Sequence, residues 1–119
     1  MRCAYMTDTH FGGYDQRLPT RIEVAAAGDD LPAEAQAAEE VGFDGLWLSE
    51  RHARSETYFP SIFTVASAMA ARTTRIQSAT AVLQPTYYHP IHLAEQLAQI
   101  DLLSKGRLVL GAGVGYHED

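Results

Sequence analysis

Fourteen residues decide the fold of this chain: Glu39-Glu40-Val41-Gly42-Phe43-Asp44-Gly45-Leu46-Trp47-Leu48-Ser49-Glu50-Arg51-His52. Gly42 lies where a helix ends in a left-handed residue, and Phe43 is placed to pack back onto Ala38 in the last turn. The run Leu46-Trp47-Leu48 is apolar without polar alternation, which is typical of a strand covered on both faces in a parallel sheet. The stretch therefore predicts a helix, a tight turn and a buried strand of an α/β fold.

Three polar residues, Glu50, Arg51 and His52, follow this strand directly. In α/β folds, ligands and catalytic groups gather at the carboxyl ends of the strands. A strand end with a purely structural role does not need a charged tip. His52 is therefore a candidate site residue with two charged neighbours.

Composition limits the class of function. The 119 residues include 46% hydrophobic residues and carry a net charge of −6, which fits one folded domain and argues against a nucleic-acid binder with a basic surface. The sequence shows no signal-type apolar segment and no membrane-spanning run, so a soluble cytoplasmic protein acting on a small molecule is predicted. Cys3 is the only cysteine, which excludes an internal disulfide, and it is expected to be a small core residue.

Three helices are predicted. The first begins at a cap formed by Asp29 and Asp30 and ends at Gly42, whereas residues 20–27 stay open because their pattern fits both a strand and a helix. The second begins at Pro60 and carries a buried stripe at helical spacing. The members of that stripe are Ile62, Val65, Ala66, Met69 and Ala70.

The third helix begins at His89-Pro90, because a proline in the first turn loses no hydrogen bond by lacking an amide proton. Lys105-Gly106 ends it, with a cation near the negative end of the helix. The residues of this helix predicted to face inward are Leu93, Ala94, Leu97 and Ile100.

Four strands alternate with these helices, at residues 3–6, 46–48, 75–83 and 107–111. Connections of this length imply parallel pairing. A (β/α)8 TIM barrel needs about 250 residues, so the predicted fold class is α/β, with residues 1–119 as the amino-terminal half of a TIM barrel truncated after its fourth strand. The alternative is a complete four-stranded doubly wound domain, which would lack a helix to cover its last strand.

Histidines recur at the predicted carboxyl ends of the strands. His10 follows the first strand and His52 the second, while His89 and His117 follow the third and the fourth. Their shared side of the sheet favours a site there, and residues 7–19 form either a loop that covers a ligand or an ordinary surface loop. Zinc hydrolases with barrel folds usually begin with two histidines one residue apart on the first strand. Only one occurs here, so no metal is predicted.

Small residues occupy the ends of strands three and four. Gly111, Gly113 and Gly115 do not match the dinucleotide-binding fingerprint, because Tyr116 stands where its third glycine is needed. The missing side chains indicate either close approach of a flat ligand or tight packing in a barrel mouth. Together with the run Ala79-Thr80-Ala81-Val82, they predict a pocket that a planar ring system would fit.

Three blocks of the sequence resemble the bacterial luciferase-like flavin-dependent monooxygenases, in that family's order and spacing. They are AEEVGFDGLWLSERH at residues 38–52, HPIHLAEQ at 89–96 and DLLSKGRLVLGAGVGY at 101–116. Only residues 17–31 lack a clear counterpart. The resemblance implies a TIM-type barrel that binds reduced FMN, or in a sister branch a deazaflavin coenzyme, at its carboxyl-end mouth.

The resemblance also assigns residues. It implies a non-proline cis peptide at Ala81-Val82 behind the flavin ring, with Thr80 and Gly113 beside the ring. His52 matches the second of the paired histidines of the luciferases. Arg51 stands where the first, which is assigned acid/base work there, would be.

His52 and Arg51 are therefore the predicted catalytic residues, and His10 and Glu50 are predicted to contact the substrate. The arginine argues against light emission and for another substrate.

The predicted function is therefore oxidation of a small organic substrate with reduced FMN and O2. A separate flavin reductase and a homo-oligomeric full-length form are expected as partners, with neither nucleic acid nor membrane. The phosphate-binding residues of the family come from later strands, so residues 1–119 alone should bind FMN poorly. The alternatives are a deazaflavin-dependent dehydrogenase, a non-catalytic half-barrel that acts as an assembly module, and a metal hydrolase.

Overall fold

The computed structural model describes residues 1–7, 17–52, 57 and 59–115. Within these residues, four strands form one sheet in the order β1-β2-β3-β4, and every neighbouring pair is parallel. The predicted parallel α/β architecture is therefore confirmed. The elements in chain order are β1 (Ala4–Met6), α1 (Arg21–Glu40), β2 (Gly45–Leu48), α2 (Ile62–Arg72), β3 (Gln77–Thr80), a 3₁₀ turn (Pro85–Tyr87), α3 (Pro90–Ser104) and β4 (Leu108–Val109).

The first helix begins eight residues before the predicted cap. Thr20 is the N-cap: its side chain accepts from the Glu23 amide, and the Glu23 carboxylate accepts from the Thr20 amide, which completes a capping box. The prediction of a cap at Asp29 and Asp30 is wrong, since both are exposed residues inside α1. Pro32 also lies inside α1 and is buried.

The end of α1 follows the prediction. Gly42 has φ of +97°, and the Phe43 amide donates to the Ala38 carbonyl at 2.9 Å. These are the left-handed residue and the six-to-one hydrogen bond of a Schellman stop. The chain is therefore directed straight into β2.

The sheet has one covered and one uncovered face. Leu46 and Leu48 of β2 are buried among the helices, but Trp47 between them is 45% exposed. Met6, its register neighbour in β1, is exposed as well, and so is Val109 in β4, whereas Ala79 between Trp47 and Val109 is buried. The prediction that β2 is covered on both faces is wrong, because the described helices pack against only one side of the sheet. Cys3, expected in the core, is also exposed.

The core lies between the sheet and the helices. All five residues of the predicted α2 stripe are buried. In α3, Ile100 is buried and Leu93 and Leu97 are partly buried against the core, whereas Ala94 is exposed, contrary to prediction. The inward stripe of α3 is narrow because α3 contacts chiefly α2 and β4.

The last two strands are shorter than predicted. β3 ends at Thr80 instead of residue 83, and Leu83 forms only an isolated bridge with Ala112. β4 is limited to Leu108–Val109. No helix among the described residues is long and apolar enough to cross a membrane.

Candidate functional site

The carboxyl end of β2 places a carboxylate and an imidazole in direct contact. The His52 Nε2 atom lies 2.9 Å from Glu50 Oε1. The Glu50 side chain is completely buried, while the His52 side chain remains 30% exposed. A buried carboxylate thus binds an imidazole that is partly exposed at the carboxyl ends of the strands, which form the carboxyl rim of the sheet.

Two further donors from the segment after β3 bind the same carboxylate. The Tyr88 hydroxyl donates to Glu50 Oε1 and the Gln84 backbone amide donates to Oε2. The Gln84 side-chain amide also donates to the Glu50 carbonyl at 3.3 Å. Burial, followed by the hydrogen bond to the Glu50 carboxylate and its charge, raises the pKa of Tyr88. Tyr88 therefore stays a neutral phenol, able to donate, across the physiological range.

Aromatic rings flank this cluster. The Tyr87 ring lies 4.9 Å from the His52 ring, centroid to centroid, at an interplanar angle of 59°. The Tyr88 ring packs edge-on against Phe63 of α2 at 5.2 Å. The 3₁₀ turn before α3 therefore places one tyrosine beside the imidazole and the other beneath the carboxylate.

The sequence prediction did not include Gln84, Tyr87 or Tyr88 in the site. The signal available was their position: all three follow β3 and precede α3, at the same carboxyl rim that carries His52. Paired tyrosines there have the hydroxyl groups that a buried carboxylate requires.

The end of β3 contains the backbone feature that the family resemblance implied, a non-proline cis peptide between Ala81 and Val82. The Ala81 amide donates to the Leu48 carbonyl of β2 at 2.7 Å. Ala81 is partly exposed and Val82 is 44% exposed, so this bend presents small apolar groups next to the end of β2.

Thr80 and the glycines join the ends of β3 and β4. The Thr80 hydroxyl donates to the Gly111 carbonyl at 2.7 Å and accepts from the Gly111 amide at 3.0 Å. A Cβ on Gly111 would meet the Thr80 carbonyl, and one on Gly113 would lie 2.8 Å from Val82 Cγ2. Of the two interpretations of these glycines, the structure therefore supports close packing of strand ends. Ligand contact at Gly113 stays a prediction.

The other histidines and Arg51 do not join the cluster around Glu50 within the described residues. Arg51 is partly exposed and has no polar partner among the described residues. His89 is the N-cap of α3, and His92 lies on the exposed surface of that helix, 3.7 Å from Glu95. His10 and His117 lie outside the described residues.

The rim suits a planar ring system better than a phosphate group. Val82 supplies an exposed aliphatic surface beside the partly exposed Ala81 and Gly113, and His52 supplies a proton-exchanging group at its edge. Arg51 is a basic residue at this rim, whereas Arg75, Lys105 and Arg107 precede β3 and β4 and so lie at the opposite end of the strands. An isoalloxazine-type ring therefore fits the residues present.

Comparison with known proteins gives consistent matches. A family model described as luciferase-like monooxygenase matches residues 1–119. The chain is 41% identical over 92 residues to an F420-dependent glucose-6-phosphate dehydrogenase of Amycolatopsis mediterranei, covering 72% of this chain and 27% of that protein. It is 31% identical over 87 residues to the oxygenase component of a flavin-dependent trigonelline monooxygenase of Acinetobacter baylyi, covering 73% of this chain and 24% of that protein.

The fold also matches a solved structure. Monooxygenase RslO1 from Streptomyces bottropensis superposes with a TM-score of 0.83 at 27% identity, over 98% of this chain and 34% of that one. The chain thus spans about a quarter to a third of the length of the proteins it resembles. Its four parallel strands and three α-helices are those of about half a (β/α)8 barrel, as predicted.

Proposed function

Because this chain belongs to the luciferase-like monooxygenase family, we propose that it forms part of a flavin-dependent oxidoreductase. The proposed enzyme uses reduced FMN and O2 to oxidise a small organic substrate. The observation that carries the proposal is the His52–Glu50 pair at the carboxyl rim, 2.9 Å apart and adjacent to the small apolar end of β3. A relative of this chain is named as a flavin-dependent monooxygenase.

Ala81, Val82 and Gly113 are the residues that would hold the ring of the cofactor, and Thr80 keeps the ends of β3 and β4 together through its two hydrogen bonds to Gly111. Reduced flavin supplies the electrons that activate O2. The protein residues orient the ring and move protons at its edge. His52 is the acid/base group because it is the imidazole of this cluster and its side chain is 30% exposed.

Arg51 supplies a permanent positive charge next to His52. A guanidinium does not exchange protons near neutral pH, so Arg51 stabilises negative charge instead of relaying a proton. This is the reason to assign oxidation without light emission. His10 retains its proposed role as a substrate contact.

A second candidate is a deazaflavin-dependent dehydrogenase. A specific observation favours it: a relative at 41% identity is named as an F420-dependent glucose-6-phosphate dehydrogenase. The same ring wall and the same His52 would serve hydride transfer without O2. The FMN form requires a separate flavin reductase, whereas the deazaflavin form does not, and we propose a homo-oligomer for either.

An oxygen-18 experiment separates the two. Because residues 1–119 alone are expected to bind FMN poorly, the test uses the full-length form that contains them. It is mixed with reduced FMN, labelled O2 and a panel of small ketones, terpenes and aromatic acids, and the products are analysed by mass spectrometry. A parallel reaction holds oxidised F420 with sugar phosphates and follows loss of the cofactor's absorbance. We expect oxygen-18 in an organic product. Reduction of F420 without oxygen incorporation would identify the protein as a deazaflavin-dependent dehydrogenase. Inactivity in both reactions would reject both candidate functions.

A further inference from the structure

We propose that Glu50 is a positioning residue that holds His52 with its ring proton on Nε2, so that Nδ1 is the atom that exchanges protons at the rim. This rests on the proposed function, in which His52 is the acid/base group. It assigns to Glu50 a role other than the substrate contact predicted for it, and it brings Tyr88 and Gln84 into the site.

The hydrogen bonds around Glu50 fix the direction of the His52 contact. The Gln84 amide can only donate, and the buried Tyr88 hydroxyl donates as well, so the carboxylate is an acceptor on both oxygens. The Nε2 atom, 2.9 Å from Oε1, must then carry a hydrogen to avoid placing two lone pairs together. A neutral imidazole protonated on Nε2 has its free lone pair on Nδ1.

The orientation of the ring is set from two sides. Glu50 holds the Nε2 edge, and the Tyr87 ring at 4.9 Å limits rotation of the imidazole plane. Among the described residues, Nδ1 has no hydrogen-bond partner, and the His52 side chain is 30% exposed. Within the part of the chain that the structure describes, the imidazole is therefore held at Nε2 and not at Nδ1.

The proposed proton transfer at His52 balances. Nδ1 takes a proton from the reacting group, and the ring becomes an imidazolium whose second N–H remains bonded to Glu50. The carboxylate is neither protonated nor displaced, and it faces the new positive charge. When Nδ1 returns the proton, the neutral ring keeps the same tautomer, because Glu50 continues to accept from Nε2.

Nuclear magnetic resonance of the imidazole tests the assignment without any cofactor. Ring N–H protons exchange too quickly to be seen unless a hydrogen bond protects them. In uniformly nitrogen-15-labelled protein we expect a downfield N–H proton coupled to Nε2 of His52. In Glu50→Gln the signal should disappear or move upfield, because a neutral amide is a weaker acceptor. A proton found on Nδ1, or an unchanged signal in the variant, rejects the proposal.

A second pair provides the matched control. Glu95 and His92 form the other carboxylate–histidine contact of the described residues, at 3.7 Å, and both side chains are exposed. Glu95→Gln should leave the His52 signal unchanged. If circular dichroism shows that Glu50→Gln does not fold, Tyr88→Phe takes its place: removing one donor to Oε1 should shift the Nε2 proton while its coupling is retained, and no shift rejects the proposal.

Kinetics provide the second readout. Once a substrate is in hand, Glu50→Gln should lower kcat about 10- to 100-fold with KM nearly unchanged, because orientation of the acid/base group acts on the chemical step. A rise in KM at constant kcat would instead identify Glu50 as a substrate contact. If the wild-type protein has no activity with either cofactor but shows the His52 Nε2 proton signal, the proposed function is rejected and the positioning role of Glu50 stands.

Discussion

Two glutamates, one at each end of the sheet, show how the same side chain is used differently. Glu39 lies near the amino-terminal ends of the strands and binds fixed donors: the backbone amides of Thr74, Arg75 and Ile76. Glu50 lies at the carboxyl ends and binds one backbone amide and two side chains, the Tyr88 phenol and the His52 imidazole that we propose as the acid/base group. The donors to Glu39 stabilise a turn, whereas contact with an acid/base group gives Glu50 a part in chemistry.

The surroundings of the two carboxylates extend the contrast. Next to Glu39, the Arg75 guanidinium donates to the carbonyls of Glu39 and Phe43. Further along the same end, Arg107 donates to the carbonyls of Ala70, Thr73, Ile76 and Ser104. The amino-terminal end is thus cross-linked by hydrogen bonds to main-chain groups, while the carboxyl end carries a partly exposed imidazole. Substitutions at the first end should change stability, and those at the second should change turnover.

The largest effect is expected from His52→Ala. Loss of the acid/base group should lower kcat about 100-fold or more. The free energy of unfolding should fall by only about 1–2 kcal/mol, because the buried Glu50 carboxylate keeps its hydrogen bonds from Tyr88 and Gln84. Turnover in the oxygen-18 assay and urea unfolding of the same sample test both parts, with Glu95→Gln as the control. Wild-type turnover by His52→Ala would remove the distinction between the two ends.

Arg107→Ala should have the largest effect on stability. It leaves four buried or partly buried carbonyls without their donor, at the ends of α2 and α3 and before β3. We expect a loss of about 3 kcal/mol in the free energy of unfolding, measured by urea denaturation. Arg107→Lys should restore only part of it, because an ammonium cannot reproduce the planar fork.

The control for Arg107 is Arg72→Ala, which removes an exposed arginine from the last turn of α2. It should cost about 0.5 kcal/mol or less. If both variants lose the same stability, the bonds of Arg107 are not what holds the amino-terminal end together.

Glu39 should make stability depend on acid pH. Burial raises the pKa of its carboxyl, but the hydrogen bonds from the amides of Ile76, Arg75 and Thr74 and from the Thr74 hydroxyl lower it by more, so the pKa is about 2 instead of its usual 4.5. A lowered folded-state pKa means that the stabilisation is complete above pH 4.5 and is lost as the pH falls towards 2. Since the carboxylate is partly solvated, we expect about 1–2 kcal/mol at pH 7.

Glu39→Gln measures this contribution. Urea unfolding at several pH values should show a difference from wild type at pH 7 that narrows below pH 4.5. Glu40→Gln, which changes the exposed neighbour, should show no such trend. A difference that stays constant with pH would mean that packing, and not the charge of Glu39, explains the loss.

Local features of the fold could be predicted from sequence. The stop at Gly42 and the apolar stripe of α2 depend only on nearby residues, and both are confirmed. The start of α1 was also within reach, because Thr20 and Glu23 have the spacing of a capping box. The prediction of a cap at Asp29 and Asp30 was wrong because aspartate favours caps but does not always form one. Inside a helix that is already capped upstream, aspartate is tolerated at an exposed position.

The candidate site depends on distant residues and was only partly predictable. The position of His52 after a buried strand identified the rim, but Gln84 and Tyr88 reach Glu50 from 34 and 38 residues away. Burial of Glu50 depends on that tertiary packing, and no period or spacing in the sequence shows it. Exposure of Trp47 is a similar case, since it depends on what covers the second face of the sheet.

The smallest effect separates packing from ligand contact at the carboxyl end. In Gly113→Ala the new Cβ would lie 2.8 Å from Val82 Cγ2, so a side chain must move, and a loss of about 1 kcal/mol is expected. The double variant Gly113→Ala with Val82→Ala removes the clashing methyl groups. It should therefore lose less stability than the sum of the two single variants, as urea unfolding can measure. Strict additivity would mean that Gly113 is not required for packing against β3. Gly113 would then belong to the chemical role of the carboxyl end of the sheet. The space left by its lack of a side chain would be available to the ring of a cofactor.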